Sequence, residues 1–158
     1  MLALGSLGNV AMWQEHYDEA IDWFKMALQK AQALKSLPSI SKAYGNMGWN
    51  YSAVGDFENA ETVFREAEST ASRAGLDGER IYWLNALGNV YFDQRQYQAA
   101  EAASSRALTL ARDRNNKRTI TECLNTLSAI ALAIERVDSA ERYNQEASGI
   151  ERKGCKDG

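Results

Sequence analysis

Few residues in this chain could do acid–base, nucleophilic or metal chemistry, and those few stand apart. The single histidine, His16, falls in a short polar break between two apolar-periodic stretches. No base–nucleophile pair is patterned beside it, so an exposed turn or helix-cap residue is its expected role. Cys123 has no His or Lys patterned next to it and is expected to be a packed thiol, not a nucleophile. Cys155 stands in the terminal Gly-rich segment, so the two thiols make no disulfide framework, and a reducing, cytoplasmic setting is expected. No Cys or His spacing suits a metal, no Gly-rich loop suits a phosphate, and no cofactor is expected. Glu58, Glu61, Glu66 and Glu68 share one stretch with Arg65, the ordinary pattern of a solvated helix face. Catalysis is therefore not expected, and function must reside in how the chain presents a surface.

The elements that would carry such a surface are repeated. Gly8, Gly48, Gly88 and Ser128 are spaced by forty residues, as are Ala20, Ala60, Ala100 and Ala140, and Ala27, Ala67, Ala107 and Ala147. Apolar sets run on the same period: Leu4, Tyr44, Leu84 and Leu124; Leu7, Met47, Leu87 and Leu127; Tyr17, Phe57, Tyr97 and Val137. Within each repeat these positions fall at helical spacing, in two stripes separated by a polar break such as Val54-Gly55-Asp56. Each repeat thus reads as a helical hairpin whose small residues let two backbones close together. Gly, Pro and Asn punctuate the joints at Ser36-Leu37-Pro38-Ser39, Gly75-Leu76-Asp77-Gly78 and Arg114-Asn115-Asn116-Lys117. The pattern predicts eight helices over 2–14, 17–35, 39–54, 57–74, 79–94, 97–113, 117–135 and 138–152. They form one domain, 1–152, of four repeats (1–36, 37–76, 77–116 and 117–152), followed by a polar disordered tail over 153–158. A single hairpin has too little core to stand alone, so the hairpins must stack.

Bulk properties narrow the partners. The 158 residues are 45% hydrophobic and 25% charged, with a formal net charge of −3 and both signs interspersed. No basic patch offers a nucleic-acid footprint, and no apolar run approaches the roughly 18 residues of a membrane span. The partner is expected to be neither nucleic acid nor membrane.

The order of residues in each repeat resembles the tetratricopeptide repeat family. The second repeat carries the resemblance best, through Tyr44, Met47, Gly48, Tyr51, Phe57, Ala60, Phe64 and Ala67. The first follows with Leu4, Leu7, Gly8, Tyr17, Ala20, Phe24 and Ala27. The third has Ser104 in place of its late Phe, and the fourth has Ser128 for Gly, Ala131 for Tyr and Asn144 for Phe. The period of forty is longer than the family's usual length of about 34, similar to the longer variants in kinesin light chains and bacterial signalling proteins. The resemblance implies an all-α fold, a right-handed α-α superhelix (solenoid) of four hairpins, acting as a non-catalytic module that binds a peptide or partner-protein segment in a concave groove.

The family pattern also implies which positions line that groove. They include Leu2, Gly5, Ser6 and Met12 in the first repeat, Lys42, Gly45, Ser52 and Ala53 in the second, Ala86 and Asp93 in the third, and Glu122, Thr126, Ala129, Leu132 and Ala133 in the fourth, with two recurrent chemistries: Asn9, Asn46, Asn85, Asn89 and Asn125, and the aromatics Trp13, Trp49, Tyr82 and Phe92. Asn costs some tenths of a kcal/mol in a helix interior, but its amide can pair both N–H and C=O of an extended peptide. Aromatic rings give large contact area at low entropic cost. The alternative is that the Asn residues tie neighbouring helices and the aromatics pack between repeats. Trp23 and Trp83 sit on faces that read as core. The chaperone-binding members hold a C-terminal Asp with two Lys, two Asn and one Arg. Asn9 and Asn46 match the Asn positions, but Gly5, Tyr82 and Ala86 replace the cations, so a chaperone tail is not expected and an apolar or mixed peptide is. Two further roles stand beside this one. Met1-Leu2-Ala3-Leu4 opens a helix with no capping residue, which favours a regulatory or sensor segment of a larger signalling protein. Uncapped ends would also permit weak self-association.

Overall fold

Seven turns, placed every twenty residues, carry the described residues through eight helices. A computed structural model describes the backbone of residues 2–154 and side chains over residues 4–150. The helices are α1 (Leu2–Trp13), α2 (Tyr17–Ala33), α3 (Leu37–Ala53), α4 (Phe57–Arg73), α5 (Asp77–Asp93), α6 (Tyr97–Asp113), α7 (Lys117–Ala133) and α8 (Val137–Gly154), with no strand among the described residues. The four hairpins fall where the forty-residue period places them. Helices α3 and α5 begin two residues earlier than their predicted starts, because Pro38 sits in the first turn of α3, where a missing N–H costs nothing, and Gly78 is likewise absorbed into α5. Helix α8 runs through Gly154, so the tail expected at 153–158 begins inside it, and residues 155–158 lie outside the described residues.

Every turn has the same geometry. Glu15, Lys35, Gly55, Gly75, Arg95, Asn115 and Glu135 all have positive φ, between 51° and 79°. At each, the following N–H reaches back five residues (His16 to Ala11, Ser36 to Ala31, Asp56 to Tyr51, and so on to Arg136 and Ala131), while the positive-φ residue bonds three back. These paired bonds satisfy the last carbonyls of each helix in the Schellman manner. The next helix starts at once, capped by Asp56, which accepts from Asn59 N–H at 3.2 Å, and by Asn116, which accepts from Thr119 N–H at 3.3 Å.

The chain divides into two compact units, residues 1–83 and 84–158, with the boundary inside α5. It falls within the span 1–152 expected as a single domain.

In the first unit, Ala11, Ala20, Phe24, Met47 and Val63 form a buried cluster, with Met12, Trp23, Leu28, Tyr44 and Tyr51 packed against it. The hairpins close through glycine. A Cβ at Gly8 would lie 2.7 Å from the Phe24 ring, and one at Gly48 would lie 2.7 Å from Phe64. Trp83 is buried, as expected of a core residue, and Gly45 makes room for it: a Cβ there would run into the indole's six-membered ring. The Trp83 indole N–H donates to Ser41 Oγ at 3.0 Å, and the Ser41 hydroxyl donates to the Ala67 carbonyl at 2.9 Å, joining α5, α3 and α4. Glu68 is not simply a solvated charge: it pairs with Arg80 at 2.8 Å and ties α4 to the first turn of α5. Leu7 shares the register of Met47, Leu87 and Leu127 but is 44% exposed, where those three are buried.

In the second unit Leu84, Leu87, Leu124, Leu127 and Ile130 fill the interior around the alanine seam of Ala100, Ala107 and Ala111. Ser104 occupies the slot that Phe64 fills in the preceding hairpin, fully buried over Gly88, and its hydroxyl lacks a hydrogen-bond partner. Ser128, standing where the other repeats have Gly, donates to the Ala140 carbonyl at 3.3 Å.

Candidate functional site

A pocket of about 290 Å³ opens in the first unit between α1 and α3. One wall is Gly5, Ser6 and Asn9 from α1; the other is Ser39, Lys42, Ala43 and Asn46 from α3; Phe24 and Ala27 of α2 form its floor. Asn9 and Asn46, thirty-seven residues apart in sequence, thus face one space from opposite sides. The pocket exists because α1 carries no side chain at residue 5: a Cβ built on Gly5 meets nothing within 4 Å. Asn9 is exposed and Asn46 half-buried, so their amides remain within reach of a ligand. Lys42 is the one charged residue among the described lining residues, and it gives the pocket a cation at its mouth. The floor was not foreseen. Phe24 reads from sequence as hairpin core, which it also is, and Ala27 reads as seam, yet it is half-buried where Ala67, Ala107 and Ala147 are fully enclosed.

Trp13 does not line this pocket; it stands 84% exposed at the end of α1. Trp49 and Tyr82 belong to a ring cluster in the same unit. The Trp49 ring meets Phe64 edge-on at 5.4 Å and Tyr82 at 6.0 Å, while Tyr82 meets Trp83 at 4.8 Å and Trp83 meets Phe64 at 6.0 Å. Such edge-to-face contacts are a packing motif. The Trp49 indole N–H is buried without an acceptor, whereas Tyr82 leaves 46% of its surface open.

The remaining residues lie in the second unit. Asn89 Oδ1 accepts a long bond from Thr126 Oγ1 at 3.4 Å and so links α5 to α7. Asn85 is half-buried, with its Oδ1 enclosed and unpaired. Phe92 rests edge-on against Tyr97 at 5.8 Å, and Asn125 is exposed on α7.

The chemical residues are placed as follows. His16 is exposed at the N-terminus of α2, 3.7 Å from Glu19. Cys123 is enclosed, and burial, with Glu122 alongside, pushes its thiol up to about 12. A thiol held that far above neutral pH carries almost no thiolate and is a poor nucleophile. Among the described residues no group of His, Cys, Asp and Glu could hold a metal, and no helix is long and apolar enough to cross a membrane.

Comparison with known proteins agrees with this architecture. The family model described as the tetratricopeptide repeat matches residues 1–73 and 79–153. Outer dynein arm-docking complex subunit 4 of Danio rerio is 28% identical over 107 residues, which cover 68% of this chain and 21% of that protein. Among solved structures, BtubC from P. vanneervenii superposes with a TM-score of 0.87 at 18% identity, covering 95% of this chain and 62% of that one. The Rap conjugation gene regulator of plasmid pLS20, in complex with a Phr peptide, superposes with a TM-score of 0.78 at 19% identity, covering 92% of this chain and 41% of that one. This chain therefore spans about a fifth of the length of the dynein-arm relative and less than two thirds of either structure.

Proposed function

Because the chain belongs to the tetratricopeptide repeat family, we propose that it is a non-catalytic protein-interaction module that holds an extended partner segment in the pocket between α1 and α3. The observation that carries this reading is the meeting of Asn9, Asn46 and Lys42 over the Phe24 floor. Two amides on opposite walls can each offer a donor and an acceptor to an extended main chain. Phe24 and Ala27 offer apolar contact to one side chain, and Lys42 favours a partner with an acidic or carbonyl-rich neighbour over a basic one. At about 290 Å³ the pocket lies at the small end of ligand sites, suited to one or two residues of a longer segment. The Rap regulator, a protein of similar fold in complex with a Phr peptide, is in keeping with the reading. The dynein-arm relative is named for a docking complex, which fits an interaction role within a larger protein.

Selection from a random peptide library, followed by titration of the selected peptide, tests this. Asn9→Ala with Asn46→Ala should weaken binding roughly tenfold or more, at about 1 kcal/mol for each hydrogen-bonding amide lost. Gly5→Phe fills the pocket from a position that touches nothing and should abolish binding without lowering stability. Peptides that bind both variants as tightly as the parent protein would refute the assignment.

A further inference from the structure

We propose that Trp49, Ser52 and Tyr82 form a second binding site, which takes a proline-containing extended segment of a partner. Two polar atoms of α3 are buried without hydrogen-bond partners, Trp49 Nε1 and Ser52 Oγ. Their residues stand three apart, so the two side chains are neighbours on one face of the helix. A buried donor without an acceptor costs free energy for as long as it stays unpaired, and two on a single helix face are out of the ordinary. In the same unit a buried indole is otherwise provided for: the Trp83 N–H donates to Ser41 Oγ. A partner that brings acceptors to Trp49 and Ser52 relieves both atoms. None of the three residues lines the pocket between α1 and α3.

Access comes through Tyr82. The Trp49 ring meets Phe64 at 5.4 Å and Tyr82 at 6.0 Å. Phe64 is fully enclosed and held in place, whereas Tyr82 leaves 46% of its surface open and has room to turn. Turned outward, it clears the Trp49 edge and offers its own ring as a flat wall. The chemistry of the site then selects the occupant. An indole N–H only donates, and the Ser52 hydroxyl rotates to donate as well. The remaining unpaired atom of α3, Asn50 Oδ1, belongs to a side chain with no exposure and lies about 100° round the helix from Trp49. An ordinary extended segment presents N–H and C=O groups together along each edge, and its N–H groups would face donors here. Proline has a carbonyl and no N–H. Segments rich in it are already held in the polyproline II form, and their rings lie flat against aromatic side chains. Since none of the three residues is charged, the contact should be indifferent to salt.

Titration of the 158-residue chain with acetylated, amidated hexaproline, followed by proton–nitrogen correlation spectra of the indoles, tests the site. The Trp49 indole proton, assigned by its loss in Trp49→Phe, should move downfield saturably as it gains an acceptor. A Gly-Ser peptide of equal length should leave it in place. Ser52→Ala should weaken hexaproline roughly fivefold, the worth of one hydrogen bond, and should raise the urea midpoint by removing the orphaned hydroxyl. Gly5→Phe, which fills the pocket between α1 and α3, should leave hexaproline binding as it was, so the two sites stand or fall separately. An unmoved Trp49 proton at about 10 mM hexaproline would overturn the proposal. So would an equal response to the Gly-Ser peptide, or a Ser52→Ala protein that binds as tightly as the parent or unfolds at lower urea. Binding lost in Gly5→Phe would give the peptide to the pocket and overturn it as well.

Discussion

Two glycines forty residues apart should respond in opposite directions to the same substitution. Gly5 and Gly45 hold the same register position on α1 and α3. In a helix interior, Gly→Ala gains roughly 1 kcal/mol from backbone entropy and propensity. At Gly5 nothing lies within 4 Å of the new methyl, so Gly5→Ala should stabilise by close to that amount. At Gly45 the methyl would overlap the Trp83 ring. The ring cannot step aside easily: it is 4% exposed, meets Tyr82 edge-on and Phe64 at a tilt, and is fixed by its bond to Ser41. Overpacking of this kind costs about 1–3 kcal/mol, and displacing the indole from Ser41 costs roughly 1 kcal/mol more. Set against the helix gain, Gly45→Ala should destabilise by about 1–3 kcal/mol, and the two variants should differ by roughly 2–4 kcal/mol. Urea unfolding followed by tryptophan fluorescence and by circular dichroism measures both. A Gly45→Ala protein as stable as the parent, or a Gly5→Ala protein less stable than it, would refute this account of the α3–α5 contact.

Ser41→Ala should cost about 1–3 kcal/mol, because it leaves the buried Trp83 N–H without an acceptor; a denaturation midpoint equal to that of the parent would show that the link contributes nothing. Replacing Glu15, Lys35, Arg95 and Glu135 by Gly, one at a time, should raise stability by about 0.5–1 kcal/mol each. The left-handed backbone costs roughly 1–2 kcal/mol for a residue with a Cβ, and glycine's freedom in the unfolded chain returns part of that; lowered midpoints would contradict it. In a Cys155→Ser background, Cys123 should resist a thiol reagent at pH 8 until the protein unfolds. Its thiol rises from 9.0 in the free state to about 12 when buried, so its contribution to stability is complete below pH 9 and is lost as pH climbs from about 9 towards 12. Rapid labelling of the folded protein would show the site to be open.

The hairpins were legible because the residues that make them are distinctive. Gly8 under Phe24 and Gly48 under Phe64 are small–large pairs that recur at a fixed interval, and no other periodic structure explains them. Trp83 could be assigned to the core from its place in the pattern. Ser41, which anchors it, could not, since a serine in a helix looks the same whether it faces water or bridges two helices. Leu7 shows the same limit: it holds the register of the buried Met47 and Leu127 yet is 44% exposed. The helix ends near Glu15, Lys35, Arg95 and Glu135 were readable to within two residues, but the left-handed backbone there was not, since these side chains give no hint of positive φ. At the candidate site the Asn9 and Asn46 pairing was readable from register, whereas the pocket's floor depends on Phe24 and Ala27 serving two surfaces at once.

The uniformity of the seven turns bears on how such a chain can grow. Helices α2 to α7 are each 17 residues long and are joined by three-residue connections of one geometry, within hairpins and between them alike. A tandem copying error in the gene can therefore begin or end in any turn and still rejoin two helices through a familiar bend. What limits the lengthening or trimming is the identity of the helices. An odd number of twenty-residue steps would put an Ala100-type seam where a Gly88-type partner is required, while an even number restores the pairing. Side chains thus limit such lengthening, whereas the joints can differ in sequence because they all bend in the same way.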